Sequence, residues 1–308
     1  MICEMKTVGT GPELPQESYV RERVTLVYKK SLVQLDEALL LGVKLVEASA
    51  EINAIPGLPP KTVFIVMGLY SKALKTVRAV RLGVAAGLLE DGNSLCRSLL
   101  ETCVAIQYLL QQDWATRADE YAAYPILKSL GVAKKWQGTP GLEEDGKCLE
   151  IDVNREIARQ LGNITPDRQK TLRRSSYSGM SLEDTFTAVG MGVAYQTVYR
   201  HMSPHAHASQ VDTHFDFQAA RGLALHPGTC GGPELRKLID TTRWFFAGIM
   251  EIVSKTMGFG YLAAIDRFMP GVDDPTNEVV RAWHARVEER EQKARILTPP
   301  QSPAPGIP

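Results

Sequence analysis

Apolar side chains recur at three- and four-residue steps along most of this chain, a periodicity that suits helices and little else. From Ser18 to about Asn53, the series Val24, Val27, Tyr28, Leu32, Leu35, Leu39, Val43 and Val46 marks one face of a long helix. The segment Pro56-Gly57-Leu58-Pro59-Pro60 stops it. A second helix is expected from about Lys61 to Glu90, ending at Asp91-Gly92, and a third from about Asn93 carrying Leu95, Leu99, Val104, Ile106, Leu109 and Leu110. A shorter fourth covers Asp113–Leu130. The glycine-rich stretch 131–150 reads as a loop, and Arg155–Leu161, Ser181–Val189 and Val193–Met202 read as further helices. A strong helix follows from Glu234 to about Met257, and a charged one from about Asn277 to Ile296. No alternating run with a hairpin turn signal and no internal repeat is visible. The expectation is therefore an all-α bundle of long antiparallel helices. A flexible N-terminus over 1–17 leads into one helical domain over 18–296. Its core lies at about 61–258, with peripheral C-terminal helices and a disordered proline-rich tail over 297–308.

Charge and cysteine usage narrow the function classes. Lys+Arg and Asp+Glu both number 35, so bulk charge cannot hold the chain to nucleic acid or lipid, and any such binding must use local patches. No apolar leader precedes Ser18, and no apolar run approaches the roughly 20 residues of a membrane span. A soluble, cytoplasmic protein is expected. The five cysteines (Cys3, Cys96, Cys103, Cys148 and Cys230) are odd in number and lack C-x-x-C spacing, which argues for reduced thiols rather than a disulfide framework or zinc site. With no P-loop, no G-x-G-x-x-G after a strand and no G-x-S-x-G, no cofactor is expected.

The chemistry concentrates in one window. Five of the six histidines fall between His201 and His226, in and after the stretch Tyr199-Arg200-His201-Met202-Ser203-Pro204-His205-Ala206-His207-Ala208-Ser209. Pro204 lacks an N–H and suits a first helical turn, and Ser203 before it is a good N-cap. A helix ending near Arg200–Met202 and another starting at Pro204 would put His205 and His207 beside free N–H groups and the positive end of a helix dipole. That is a place for phosphate. Arg200 would reach across the break to clamp the anion while an imidazole moves a proton, a set suited to phosphodiester cleavage. A competing reading is a metal site from His201, His205, Asp212 and His214, although Pro204 should spoil the helical register of the first pair. Outside such a site, His201 and His214 read as structural or surface residues.

Arg97 and Glu101 form an i,i+4 pair, either a plain intrahelical ion pair or a buried pair that orients Arg200 or a histidine. Lys61, Lys72, Lys75, Arg78 and Arg81 lie in a stretch without acidic residues, and Arg173 and Arg174 end a second basic run. Lys72, Lys75, Arg78, Arg173 and Arg174 are the candidates for guiding RNA, unless these are simply solvated faces.

Two resemblances attach to these residues. Arg200 followed by His201, with His205 and His207 at the four- and six-residue spacings, resembles the R-x4–6-H signature of HEPN (higher eukaryotes and prokaryotes nucleotide-binding) ribonuclease domains. The wider pieces Arg97-Ser-Leu-Leu-Glu101, Tyr177-Ser-Gly-Met-Ser-Leu-Glu183 and Tyr195-x-x-x-Tyr199-Arg200-x-x-Ser203-x-x-x-His207-x-Ser209 resemble an uncharacterised bacterial all-helical family, over roughly Lys61 to Asp216. In that pattern the histidine corresponds to His207. What the resemblances imply is a HEPN-like bundle and metal-independent endoribonuclease activity leaving 2′,3′-cyclic phosphate. They also imply a homodimer, and a toxin or antiviral defence role. RNA is the expected partner, with no DNA and no membrane. Arg200, His207 and His205 would be catalytic, supported by Ser203, Ser209, Tyr199, Arg97 and Glu101. A non-catalytic nucleotide-binding or scaffold protein remains the alternative class.

Overall fold

The computed structural model describes residues 17–50, 55, 57–206, 215–218, 222–225 and 233–269. The expected N-terminal flexibility, the helix at Asn277–Ile296 and the proline-rich tail lie outside these residues, as do His207, Ser209, Asp212 and His214.

The described chain is a helical bundle. Helices α1 (Glu17–Val27) and α2 (Lys29–Ala50) meet at Tyr28, but the i→i−4 bonds Tyr28 N–H to Val24 (2.9 Å) and Leu32 N–H to Tyr28 (3.0 Å) carry the helix through. The buried face is Val24, Leu32, Leu35, Ala38, Leu41 and Leu45, so Val27 and Val43 point outward instead of inward as the periodicity suggested. Pro60 opens α3 (Pro60–Ala85), where its missing N–H costs nothing. Helix α4 (Leu89–Leu109) packs against α3, and α11 (Pro233–Met257) lies on α2, α3 and α4. Tyr70, Leu99, Leu100, Ile106, Phe186 and Phe246 fill the core among them.

Glycines fall differently from the sequence expectation, each for a physical reason. The α3–α4 boundary falls at Gly87, not at Asp91-Gly92. Gly87 takes φ +78° and its N–H caps Val84, while the acidic Glu90 and Asp91 belong to the first turn of α4. Gly92 lies inside α4, where a Cβ would come within 2.5 Å of Leu238. Likewise most of the expected 131–150 loop is helix. Helix α5 (Trp114–Gln137) and α6 (Glu143–Gln160) are separated only by residues 138–142, and Gly146 lets α6 approach the α5 backbone, with a virtual Cβ 2.6 Å from the Gln137 nitrogen.

Helix α7 (Pro166–Arg174), capped by the Thr165 hydroxyl, packs on α5 around a second small core of Ala123, Leu127, Leu161, Ile164 and Leu172. Helix α8 (Leu182–Ala188) is capped by Ser181, and a short turn α9 (Gly192–Ala194) leads into a π-helical turn over Tyr195–Tyr199 and then α10 (Arg200–Ala206) on α4. A two-stranded antiparallel hairpin, β1 (Phe215–Gln218) and β2 (Gly222–Leu225), pairs Phe215 with Leu225 and corrects the expectation of no hairpin. The described chain closes with α12 (Leu262–Asp266). No described helix is long and apolar enough to cross a membrane.

Candidate functional site

The π turn governs what α10 presents. Its wide i→i+5 closure, Arg200 N–H to Tyr195 C=O, brings Tyr195 and Tyr199 into a stack (5.1 Å between centroids, 14° between planes). Phe186 of α8 packs against both rings at 5.2 and 5.3 Å. The turn thus buries Tyr199, 5% exposed, and leaves the next residue, Arg200, in solvent.

The Tyr199 hydroxyl is clasped from α4. It accepts from Arg97 Nη2 at 2.6 Å and donates to Glu101 Oε1 at 2.8 Å, while Arg97 Nε stands 3.5 Å from the same carboxylate oxygen. The Arg97 guanidinium also lies 4.5 Å from the Tyr199 ring centroid. Arg97 can only donate and Glu101 only accept, so the phenol between them must use both of its capacities, and its orientation is fixed. Burial and the Glu101 carboxylate push Tyr199 up to about 12, against the opposing pull of Arg97. The Arg97–Glu101 pair is therefore an orienting device for Tyr199, the residue before Arg200, rather than a plain intrahelical ion pair.

On the exposed side, Arg200 Nη1 donates to Gln196 Oε1 (3.1 Å), and Gln196 Nε2 donates to Glu183 Oε1 (2.6 Å). The carboxylate sets which way the amide points, so its oxygen faces Arg200. Among the described residues, the Arg200 guanidinium is thus held by a neutral group. Sequence reasoning missed Gln196 altogether and met Glu183 only as the end of a motif. The i,i+4 step from Gln196 to Arg200 was readable, but the 13-residue step back to Glu183 follows from the fold alone.

The middle motif is placed by a turn. Gly179 takes φ +74° with the Arg168 guanidinium against it. Arg168 forks onto Glu120 with both bonds at 2.6 Å and donates to the Ser178 carbonyl at 2.9 Å. This presents Tyr177 to Tyr108, Tyr121 and Tyr124, at 6.0, 5.0 and 6.4 Å. The Tyr177 hydroxyl is buried with no hydrogen-bond partner among the described residues. Burial foremost, then Tyr121 and Glu101, raises its pKa far above the ordinary phenol value.

Other expected residues fall differently. There is no helix start at Ser203: α10 runs unbroken from Arg200 to Ala206, with Ser203 half-buried inside it. No helix N-terminus therefore stands at Pro204 to bind an anion, contrary to expectation. Pro204 thus lies within α10, where it withholds the N–H that would bond the Arg200 carbonyl. His201 is exposed, and positions 201 and 205 keep the one-turn helical spacing that Pro204 was expected to spoil. Among the described residues, no group of three His, Cys, Asp or Glu is placed to hold a metal. Lys72, Lys75 and Arg78 are exposed on α3, and Arg173 and Arg174 are exposed in the last turn of α7, where a helix dipole favours cations. Cys96 and Cys103 are buried thiols, and burial pushes Cys96 up to about 12.

A family model described as a family of unknown function (DUF5677) matches residues 63–219, close to the stretch over which the sequence resemblance ran. No curated protein and no solved structure matches the chain.

Proposed function

The chain belongs to this family, DUF5677, and from its own residues we propose that it is a metal-independent endoribonuclease of HEPN-like type acting as a homodimer. One observation carries the reading: the three motif pieces meet around a single backbone step. Arg97 and Glu101 hold Tyr199 from the core side, and Glu183, through Gln196, holds Arg200 from the solvent side. Tyr177, at the start of the same motif as Glu183, packs against Tyr108 of α4. A cation so braced, exposed and bonded to a neutral amide is free to take a phosphate bidentately.

In this reading Arg200 binds the scissile phosphate and offsets the charge gained in the transition state. A histidine takes the proton of the RNA 2′-OH as that oxygen attacks phosphorus. The bond to the 5′-oxygen breaks, that oxygen is protonated, and a 2′,3′-cyclic phosphate remains. The proton transfer is assigned to His207, the histidine to which the motif resemblance points, with His205 second and Ser203 and Ser209 as supporting groups. The test is cleavage of mixed RNA in excess EDTA by wild type, Arg200→Ala and His207→Ala proteins of equal helicity. Cleavage by wild type alone supports the proposal. Cleavage that appears only with added divalent metal points to a hydrolase using His201, His205, Asp212 and His214. Intact RNA under both conditions favours a nucleotide-binding or scaffold protein.

A further inference from the structure

The outward face of α3 has a composition that its packing does not require. Lys61, Phe64, Lys72, Lys75, Arg78 and Leu82 are all exposed and fall within about 120° of arc, opposite the buried Thr62, Val66, Leu69, Ala73, Val77 and Val80. Two of the five cations in this segment are already used: Lys61 pairs with Asp119 at 2.5 Å, and Arg81 forks onto Asp36 at 2.8 and 3.0 Å. Lys72, Lys75 and Arg78 are different. They stand three residues apart in one row, and among the described residues none has a carboxylate within ion-pair distance. Like charges one turn apart destabilise a helix, and the segment holds no acidic residue to relieve them. In line with this row stands Phe64, 81% exposed.

We propose that this face of α3 is a docking rail for single-stranded RNA, with Lys72, Lys75 and Arg78 following the phosphates and Phe64 stacking on an unpaired base. From Phe64 to Arg78 the rail is about 21 Å long at 1.5 Å per residue, enough for a few nucleotides. A row of cations with one aromatic beside it suits a strand whose bases are free to stack, and such stacking is sequence-tolerant. It suits a membrane poorly, because Phe64 and Leu82 are about 27 Å apart along the helix with the charges between them, not one continuous apolar face. The choice of RNA as the polyanion rests on the ribonuclease reading; the rail itself is independent of Arg200.

The test uses the full chain carrying Arg200→Ala in EDTA, so that cleavage does not intervene, and a fluorescein-labelled 12-nucleotide oligouridine read by anisotropy. The unaltered rail binds, and its affinity falls as salt rises. The triple variant Lys72→Glu, Lys75→Glu, Arg78→Glu lowers affinity by at least tenfold and flattens the log–log salt slope by about 2, the change expected for three single-strand phosphate contacts. Phe64→Ala weakens binding roughly tenfold while leaving the salt slope unchanged. Equal binding by the triple variant overturns the proposal, as does stronger binding to a duplex of the same length or binding to phosphatidylserine vesicles in place of RNA. Rail-dependent binding by a protein that cleaves nothing would leave this inference standing and remove the ribonuclease reading. Cleavage by wild type with no effect of the rail variants would do the reverse.

Discussion

Replacing Gly179 by alanine should destabilise the protein by about 3–4 kcal/mol, in two separable parts. The residue sits at φ +74°, where an L side chain costs about 1 kcal/mol. Its Cβ would also overlap the Arg168 guanidinium, with Cζ 2.7 Å away, so the guanidinium must shift from the position in which it makes its bonds. That guanidinium makes both 2.6 Å bonds to Glu120, whose side chain is only 8% exposed, and a third to the Ser178 carbonyl. Breaking a buried ion pair on one side costs about 3–5 kcal/mol, and the one-third exposure of Arg168 reduces this to about 2–3. Guanidinium unfolding followed by circular dichroism measures the sum. A double-mutant cycle separates the parts: with Arg168→Ala already present, Gly179→Ala should cost only the backbone share of about 1 kcal/mol, a coupling of about 2–3. Equal costs in the two backgrounds would refute the steric link between Gly179 and the Glu120–Arg168 fork.

Tyr199→Phe removes a hydroxyl bonded to two charged groups. It should cost about 1–3 kcal/mol in the same unfolding assay, whereas Tyr195→Phe, which no described hydrogen bond through its hydroxyl opposes, should cost under about 1. Pro204→Ala should stabilise the chain by about 1–3 kcal/mol, since it restores an N–H inside a continuous helix; a first-turn proline would instead give no gain. Stability should decline above about pH 10. Tyr70, Tyr108, Tyr121, Tyr177 and Tyr199 all hold their protons more tightly folded than unfolded, chiefly through burial. In that window the unfolded chain binds fewer protons, so stability, complete below the ordinary tyrosine value, is lost as pH rises through the raised ones. Urea unfolding between about pH 8 and pH 11 should follow this slope, and a flat profile would contradict it.

The helical class was legible because apolar periodicity is local, and α3, α4 and α11 need nothing more. Glycine was legible only by halves. Gly87 and Gly92 look alike in the sequence, but one ends a helix through its positive φ and the other admits Leu238 to the α4 surface. The same ambiguity concealed α6 behind Gly146. The small hairpin at Phe215–Leu225 was missed because four-residue strands with Gly222 at one end carry too little alternation to read. At the candidate site, Arg97, Glu101, Tyr199 and Arg200 were all readable as residues. Their joining was half readable, since α4 and the π turn are about a hundred residues apart and no spacing rule links them. Pro204 misled most, because a residue that ordinarily opens a helix lies here inside α10.

The end groups of cleaved RNA test the central claim most directly. Wild-type protein in excess EDTA should leave 2′,3′-cyclic phosphate and 5′-hydroxyl ends, detected by mass spectrometry. A substrate with a 2′-deoxy sugar at the cleaved position should resist, and Arg200→Ala should leave both substrates intact. Products bearing 5′-phosphates, or cleavage of the 2′-deoxy substrate, would contradict attack by the 2′-oxygen and with it the role assigned to Arg200.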